Sequence, residues 1–131
     1  MGKATPPAGP RDRMIEAAIT LMRRSGLSGA GINEIVRESG APKGSVYHFF
    51  PDGKRQIAAD ALDVNARRVL AFIEARLAAK AVPGDKVKAL FQAFARRLEE
   101  GDFRHSCAAG TVCLDLERVH RAFRVNVDGV I

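Results

Sequence analysis

Two short helices joined by a tight turn are predicted between residues 32 and 50. The first covers residues 32–39, has apolar side chains at helical spacing, and is followed by Gly40, a residue that commonly ends helices. The second begins near Pro42, whose missing backbone N–H costs nothing in a first helical turn, and runs to about Phe49. When such a helix-turn-helix packs on a third helix, its second helix can enter the major groove of DNA.

Helical periodicity continues along most of the chain, and strand patterns are nearly absent. Residues 1–10 contain three prolines and no periodicity, which predicts a disordered arm. We therefore predict an all-α protein with a three-helix unit over residues 11–53 and a second helical unit over residues 54–131. The further helices are expected at residues 11–25, 54–80, 85–100 and 115–124.

The chain is basic, with a net charge of +6 and a pI near 9.9. Such a charge favours an acidic partner, nucleic acid first. Residues 1–60 carry 9 basic and 6 acidic side chains, and residues 61–131 carry 12 and 9, so each part has a net charge of +3. The total charge therefore favours nucleic acid without locating a site.

The cellular compartment is indicated by cysteine usage and hydropathy. Two cysteines, Cys107 and Cys113, cannot build a disulfide framework, and so low a number is typical of the reducing cytosol. No run approaches the roughly 18 apolar residues of a membrane span, and residues 1–10 lack the apolar core of a signal peptide. These patterns predict a cytoplasmic protein with no membrane partner.

The second helix of the motif carries side chains suited to DNA. Because this helix is about two turns long, only its N-terminal part can reach base edges. Lys43 can reach a phosphate or a guanine edge, and Ser45 can exchange hydrogen bonds with several bases. Gly44 lets the backbone approach a phosphate closely. Tyr47 and His48 add an aromatic face for a thymine methyl group and donors for phosphates.

The residues around this reading face have other roles. Val46 and Phe50 lie four positions apart and are predicted to anchor the helix to the core. Lys54 and Arg55 open the next helix, where a positive charge opposes the helix dipole. Contact with the phosphate backbone is one explanation for these two charges, and a solvated helix face is the other.

Residues 40–54 read Gly-Ala-Pro-Lys-Gly-Ser-Val-Tyr-His-Phe-Phe-Pro-Asp-Gly-Lys. This run strongly resembles the DNA-binding domain of the TetR/AcrR family of transcriptional regulators, whose members have a similar Gly-x-x-Lys-Gly-x-x-Tyr-x-x-Phe pattern. The resemblance covers residues 11–62 in order and spacing. The Asp-Gly pair before Lys54 is most similar to the YxaF/LmrA-like subgroup, and residues 102–116 resemble that subgroup's ligand-domain segment more loosely.

The resemblance implies a homodimeric repressor that a small ligand releases from double-stranded DNA. The first three helices would bind DNA, and the long fourth helix would join them to a helical ligand-binding and dimer domain. Carried over residue by residue, the DNA contacts are Pro42, Lys43, Ser45, Tyr47, His48 and Lys54.

Two departures from the family pattern lead to further expectations. Family members are usually longer, so their last two dimer helices would lie beyond Ile131, and residues 54–131 would form a partial regulatory domain. Weak self-association is then expected through Phe94, Leu98 and Phe123. The family usually opens its second helix with Thr or Ser where this chain has Ala30, so a Thr at position 30 is expected to cap that helix and strengthen DNA binding. The alternative is that Ser28 or Gly31 already serves as the cap, in which case the substitution changes neither stability nor DNA binding.

Phenylalanines in the second unit have two interpretations that stay open. They could line a pocket for a small apolar ligand, or they could form hydrophobic core, which is the commoner use of helically spaced aromatic residues. The residues concerned are Phe72, Phe91, Phe94 and Phe103.

No constellation of residues supports catalysis or metal binding. The spacing of His105, Cys107, Cys113 and His120 matches no compact zinc signature, and no oxyanion hole accompanies them. We therefore predict no enzyme activity, no metal and no cofactor. The alternative to a DNA-binding regulator is a helical interaction module that has lost DNA binding.

Overall fold

The computed structural model describes residues 9–119, and this part of the chain is entirely helical. The all-α prediction with an N-terminal helix-turn-helix is thereby confirmed. A single 3-10 turn, Lys43–Ser45, precedes the third helix. The six α-helices of the described residues are α1 (Pro10–Ser25), α2 (Ile32–Ser39), α3 (Val46–Phe49), α4 (Lys54–Ala78), α5 (Pro83–Glu100) and α6 (Ala108–Val119).

Local sequence signals predicted α1 and α2 well. The third helix was predicted to begin near Pro42, but residues 43–45 form the 3-10 turn and α3 begins only at Val46. Pro10 opens α1, because a proline in the first turn gives up no helical hydrogen bond. Pro83 likewise opens α5, two residues earlier than predicted. The predicted start of α6 was wrong: the helix begins at Ala108, seven residues before Asp115. Its predicted end near Arg124 lies outside the described residues.

One hydrophobic core joins the helix-turn-helix to the helices that follow it. The apolar face of α1 supplies more of this core than any other helix. Val46 and Phe50 are fully buried in it, as their spacing predicted. From α4, Ile57 and Ala61 enter the same core. The first turn of α6 is held there because Ala108 is fully buried, and this contact explains the early start of the helix.

Two cross-helix ion pairs fasten α1 to α4. Arg11 Nη2 lies 2.7 Å from Asp60 Oδ2, and Arg68 donates two hydrogen bonds to the carboxylate of Glu16. The hydrogen bond from Arg68 lowers the pKa of Glu16 below its ordinary value, against an opposing effect of burial. These pairs set the orientation of the long helix relative to the three-helix unit.

The face of α5 that carries its large apolar side chains is largely open. Only Ala93 of this helix is buried, whereas Val87 and Phe91 are 55% and 71% exposed. Phe94 meets Phe72 of α4 edge-on, with ring centroids 5.4 Å apart. Between residues 9 and 119, no helix is both long and apolar enough to cross a lipid bilayer.

Candidate DNA interface and regulatory cavity

The turn before the reader segment (residues 43–49) is built by backbone geometry and short polar side chains. Gly40 ends α2 in the left-handed conformation, with φ +62°, which a glycine adopts without steric cost. The backbone N–H of Ala41 donates to Ser39 Oγ over 3.2 Å. Ser45 donates to the Pro42 carbonyl from its backbone N–H (3.0 Å) and from its hydroxyl (2.6 Å). These bonds hold the 3-10 turn that presents the reader segment.

The predicted DNA contacts lie on the accessible side of this segment. Val46 and Phe50 are fully buried on the opposite side, so the segment cannot rotate without exposing core. Ser45 and Lys54 are half-buried, and the remaining predicted contacts are exposed: Pro42, Lys43, Gly44, Tyr47 and His48. All seven predicted DNA contacts are therefore at least partly accessible to solvent.

Tyr47 is 63% exposed, yet one edge of its ring lies close to the backbone of Gly53. A Cβ on Gly53 would lie 3.3 Å from Tyr47 Cε1, and Gly53 has φ +63°. The sequence analysis noted Gly53 only as part of the Asp-Gly pair before Lys54. In the structure, the absence of a side chain at Gly53 lets the Tyr47 ring lie close to the backbone.

A cavity of about 380 Å³ lies where α4 and α5 meet the C-terminal turn of α1. Phe72 and Phe94 line it, as predicted for a ligand site. Phe91 and Phe103, the other two residues predicted to line a ligand site, are not among its lining residues and are 71% and 73% exposed. The lining residues are Arg23, Asn65, Val69, Phe72, Phe94, Arg97, Leu98, His105, Ser106, Cys107 and Ala108.

Several residues that line the cavity were not among those predicted from the sequence. Asn65, Val69 and Phe72 recur at spacings of four and three, so helical periodicity could have grouped them. Arg97 follows Phe94 by three positions and could have been found in the same way. Arg23 could not have been found from helical spacing, because it belongs to α1 and reaches the cavity only through tertiary packing.

The cysteines stay free and exposed. Cys107 is at the cavity wall, and Cys113 is on α6. Over the described range, no group of three or more His, Cys, Asp or Glu side chains is arranged to hold a metal ion. His120, the fourth residue weighed as a zinc ligand, lies outside that range.

Two pairs of residues form hydrogen bonds that connect the region around the cavity and α6 with the helix-turn-helix. The Arg23 carbonyl accepts hydrogen bonds from the backbone N–H (3.2 Å) and the hydroxyl (3.0 Å) of Ser106. Asp115 Oδ2 accepts from the backbone N–H and the hydroxyl of Ser28.

Gly31, not Ala30, is the N-cap of α2, and Ala30 is 2% exposed, so the expected capping role of position 30 was wrong.

Comparisons with known proteins support this arrangement. Residues 14–61 match the family of bacterial regulatory proteins called the tetR family. An uncharacterized HTH-type transcriptional regulator of Mycobacterium tuberculosis is 34% identical over 108 residues, covering 82% of this chain and 53% of that protein. The uncharacterized HTH-type transcriptional regulator YxaF of Bacillus subtilis is 42% identical over 64 residues, 49% of this chain and 34% of YxaF. The predicted resemblance is thereby confirmed.

A solved structure shows the same fold. The crystal structure of a regulatory protein TetR from Rhodobacter sphaeroides superposes with a TM-score of 0.78 at 20% identity, covering 92% of this chain and 64% of that chain. The chain spans about half the length of the M. tuberculosis relative, 53%.

Proposed function

We propose that this chain, whose residues 14–61 match the tetR family of bacterial regulatory proteins, is a sequence-specific DNA-binding transcription repressor released by a small ligand. One observation carries the DNA-binding part of the proposal. Val46 of the reader segment and Phe50 directly after it are completely buried, while Lys43 and Tyr47 are exposed to solvent. An exposed helix with a lysine and aromatic residues near its N-terminus suits the major groove.

Binding by one helix-turn-helix covers few base pairs, so the active form is proposed to be a homodimer. Two reader segments would then lie about 34–36 Å apart, one turn of DNA. The exposed side chains of Phe94 and Leu98 on α5 are 38% and 44% accessible and are candidates for this contact. Phe123, the third residue expected there, lies outside the described residues. Sedimentation of wild type and Leu98→Asp at micromolar concentration tests this surface, and an unchanged dimer would contradict it.

Ligand control is supported by residues that serve both parts of the molecule. Arg23 lies in the last turn of α1, in the helix-turn-helix unit, and also lines the cavity. A ligand that moves this side chain acts directly on the DNA-binding unit. For repression to be lifted, the ligand must bind the DNA-incompetent arrangement more tightly than the competent one.

The test of DNA binding is fluorescence anisotropy with a duplex from upstream of the chain's own coding region and a scrambled duplex of equal length. Specific binding with a steep salt dependence is expected. Lys43→Ala and Tyr47→Ala should each lose about 1–3 kcal/mol of binding free energy, while Lys88→Ala, an exposed lysine on α5, is the matched control. Wild-type affinity in both reader variants would contradict the assignment of residues 43–49 as the reader segment. No DNA binding at all would favour the interaction-module alternative.

A further inference from the structure

We propose that the cavity between α1, α4 and α5 takes an organic anion with a compact apolar body, such as an aromatic carboxylic acid. The inference rests on the proposed function, because it names the chemical class of the molecule that would control DNA binding. It replaces the purely apolar ligand expected from the phenylalanines alone.

The charges on the cavity wall are of one sign. Its ionisable side chains include Arg23, Arg97 and His105, and no Asp or Glu is among the lining residues. Neither arginine takes part in an ion pair within residues 9–119. Arginine binds carboxylates with two parallel hydrogen bonds, so two arginines without acidic partners are suited to capture an anion.

Arg23 is held in place before any ligand arrives. Its Nε donates to the Ser106 carbonyl over 3.1 Å, and its own carbonyl accepts two hydrogen bonds from Ser106. The terminal guanidinium nitrogens make no hydrogen bond in the described part of the chain, so they are available to a carboxylate. A preorganised donor loses less conformational entropy on binding than a mobile one.

Arg97 is oriented by an aromatic ring. Its guanidinium carbon lies 4.8 Å from the centroid of Phe72, an arrangement that leaves the N–H edge of the guanidinium unused. Arg76 lies at the same distance from the Phe72 centroid.

The apolar part of the wall defines the rest of the ligand. Val69, Phe72, Phe94 and Leu98 provide a surface for a flat or branched hydrocarbon body. Since small-molecule pockets have volumes of about 300–1,000 Å³, a cavity of about 380 Å³ suits a compact ligand.

Isothermal titration calorimetry of the 131-residue chain with 2-naphthoate and 2-naphthamide tests the inference. The two probes have nearly the same shape, and only the first is charged at pH 7. We expect 2-naphthoate to bind about tenfold more tightly, because charge-assisted hydrogen bonds are the stronger ones. Arg23→Gln and Arg97→Gln should each lower 2-naphthoate affinity about tenfold and leave 2-naphthamide affinity unchanged.

Adjacent arginines provide matched controls. Arg24 and Arg96 are exposed, neighbour the two cavity arginines in sequence, and do not line this cavity. Arg24→Gln and Arg96→Gln should bind 2-naphthoate like the wild type, and circular dichroism checks that all variants fold. Equal or tighter binding of 2-naphthamide, no binding of either probe, or an equal loss in the control variants would overturn the inference.

The experiments distinguish a failure of the anion site from a failure of the proposed function. If 2-naphthoate binds through Arg23 and Arg97 but leaves DNA affinity unchanged, ligand release is contradicted and the anion site stands. If neither probe binds while Lys43→Ala still abolishes DNA binding, the anion site fails and the DNA-binding part of the proposed function stands.

Discussion

Asp115 of α6 accepts two hydrogen bonds from Ser28, one from its backbone N–H and one from its hydroxyl, both at 2.7 Å. Ser28 lies in the turn between α1 and α2, so this contact joins the last described helix to the helix-turn-helix. The hydrogen bond from the Ser28 hydroxyl is the main reason why the pKa of Asp115 is lowered, followed by the bond from its backbone N–H.

Asp115→Asn should lower the melting temperature at neutral pH. The loss is expected to be below about 1 kcal/mol, because the carboxylate is largely accessible to solvent. A carboxyl group whose pKa is lowered by folding contributes stability above its unfolded value, about 3.9, and loses that contribution as the pH falls through the folded value. The difference in melting temperature between the wild type and Asp115→Asn should therefore become smaller below about pH 4. Asp102→Asn, at an exposed pair with Arg104, is the control, and a pH-independent difference would contradict the prediction.

Gly53→Ala should weaken both stability and DNA binding. A Cβ at this position would be strained at φ +63° and would press on the Tyr47 ring at 3.3 Å. A non-glycine residue in this conformation costs about 1–3 kcal/mol, measurable by urea unfolding. Gly84→Ala in the first turn of α5 meets no atom within 4 Å and is the matched control. It should be neutral or stabilising, and equal effects of the two substitutions would exclude the proposed support of Tyr47.

Ala30→Thr and Gly31→Ser should shift the melting temperature in opposite directions. Ala30 is 2% exposed, so a threonine there overpacks the core at a cost of about 1–3 kcal/mol. Gly31 is the N-cap of α2 with extended backbone, φ −68° and ψ 158°, and lacks a side-chain cap. A serine there should gain a few tenths of a kcal/mol. A stabilising threonine at position 30 would restore the interpretation based on the family pattern.

Arg68→Ala should cost more stability than Arg67→Ala. Arg68 joins α4 to Glu16 of α1, whereas Arg67 pairs with Asp63 of its own helix at 2.6 Å. Exposed pairs contribute about 0.2–1 kcal/mol, with pairs within one helix near 0.3–0.5 kcal/mol. Urea unfolding at low and high salt measures the free energy of unfolding of both variants. The difference between their losses of stability should become smaller at high salt. Identical losses would show that the cross-helix pair does not orient α4.

The helix-turn-helix could be predicted from sequence because its signals are local. Helical spacing placed Val46 and Phe50 on one side and Tyr47 on the other, and the fully buried and exposed positions agree with that division. Turn signals such as Gly40 act within a few residues, where sequence distance and spatial distance are nearly the same.

The start of α6 and the composition of the cavity could not be predicted in this way. Residues 108–110, Ala-Ala-Gly, have no apolar stripe, and the helix begins there because Ala108 is buried against the core. Phe91 and Phe94 both suit an apolar face of α5, yet only Phe94 lines the cavity, because Phe72 of another helix meets it.

The sequence by itself determined the helical class, the position of the helix-turn-helix, and which side chains of residues 43–50 are buried and which are exposed. Tertiary structure decided that Arg97, rather than its neighbour Arg96, lines the cavity with Arg23, and that Ser28 meets Asp115 across 87 positions of the chain. The physical reason is that periodicity assigns each residue to a face of its own helix. Which faces then meet depends on the packing of distant segments, and no local pattern encodes that choice.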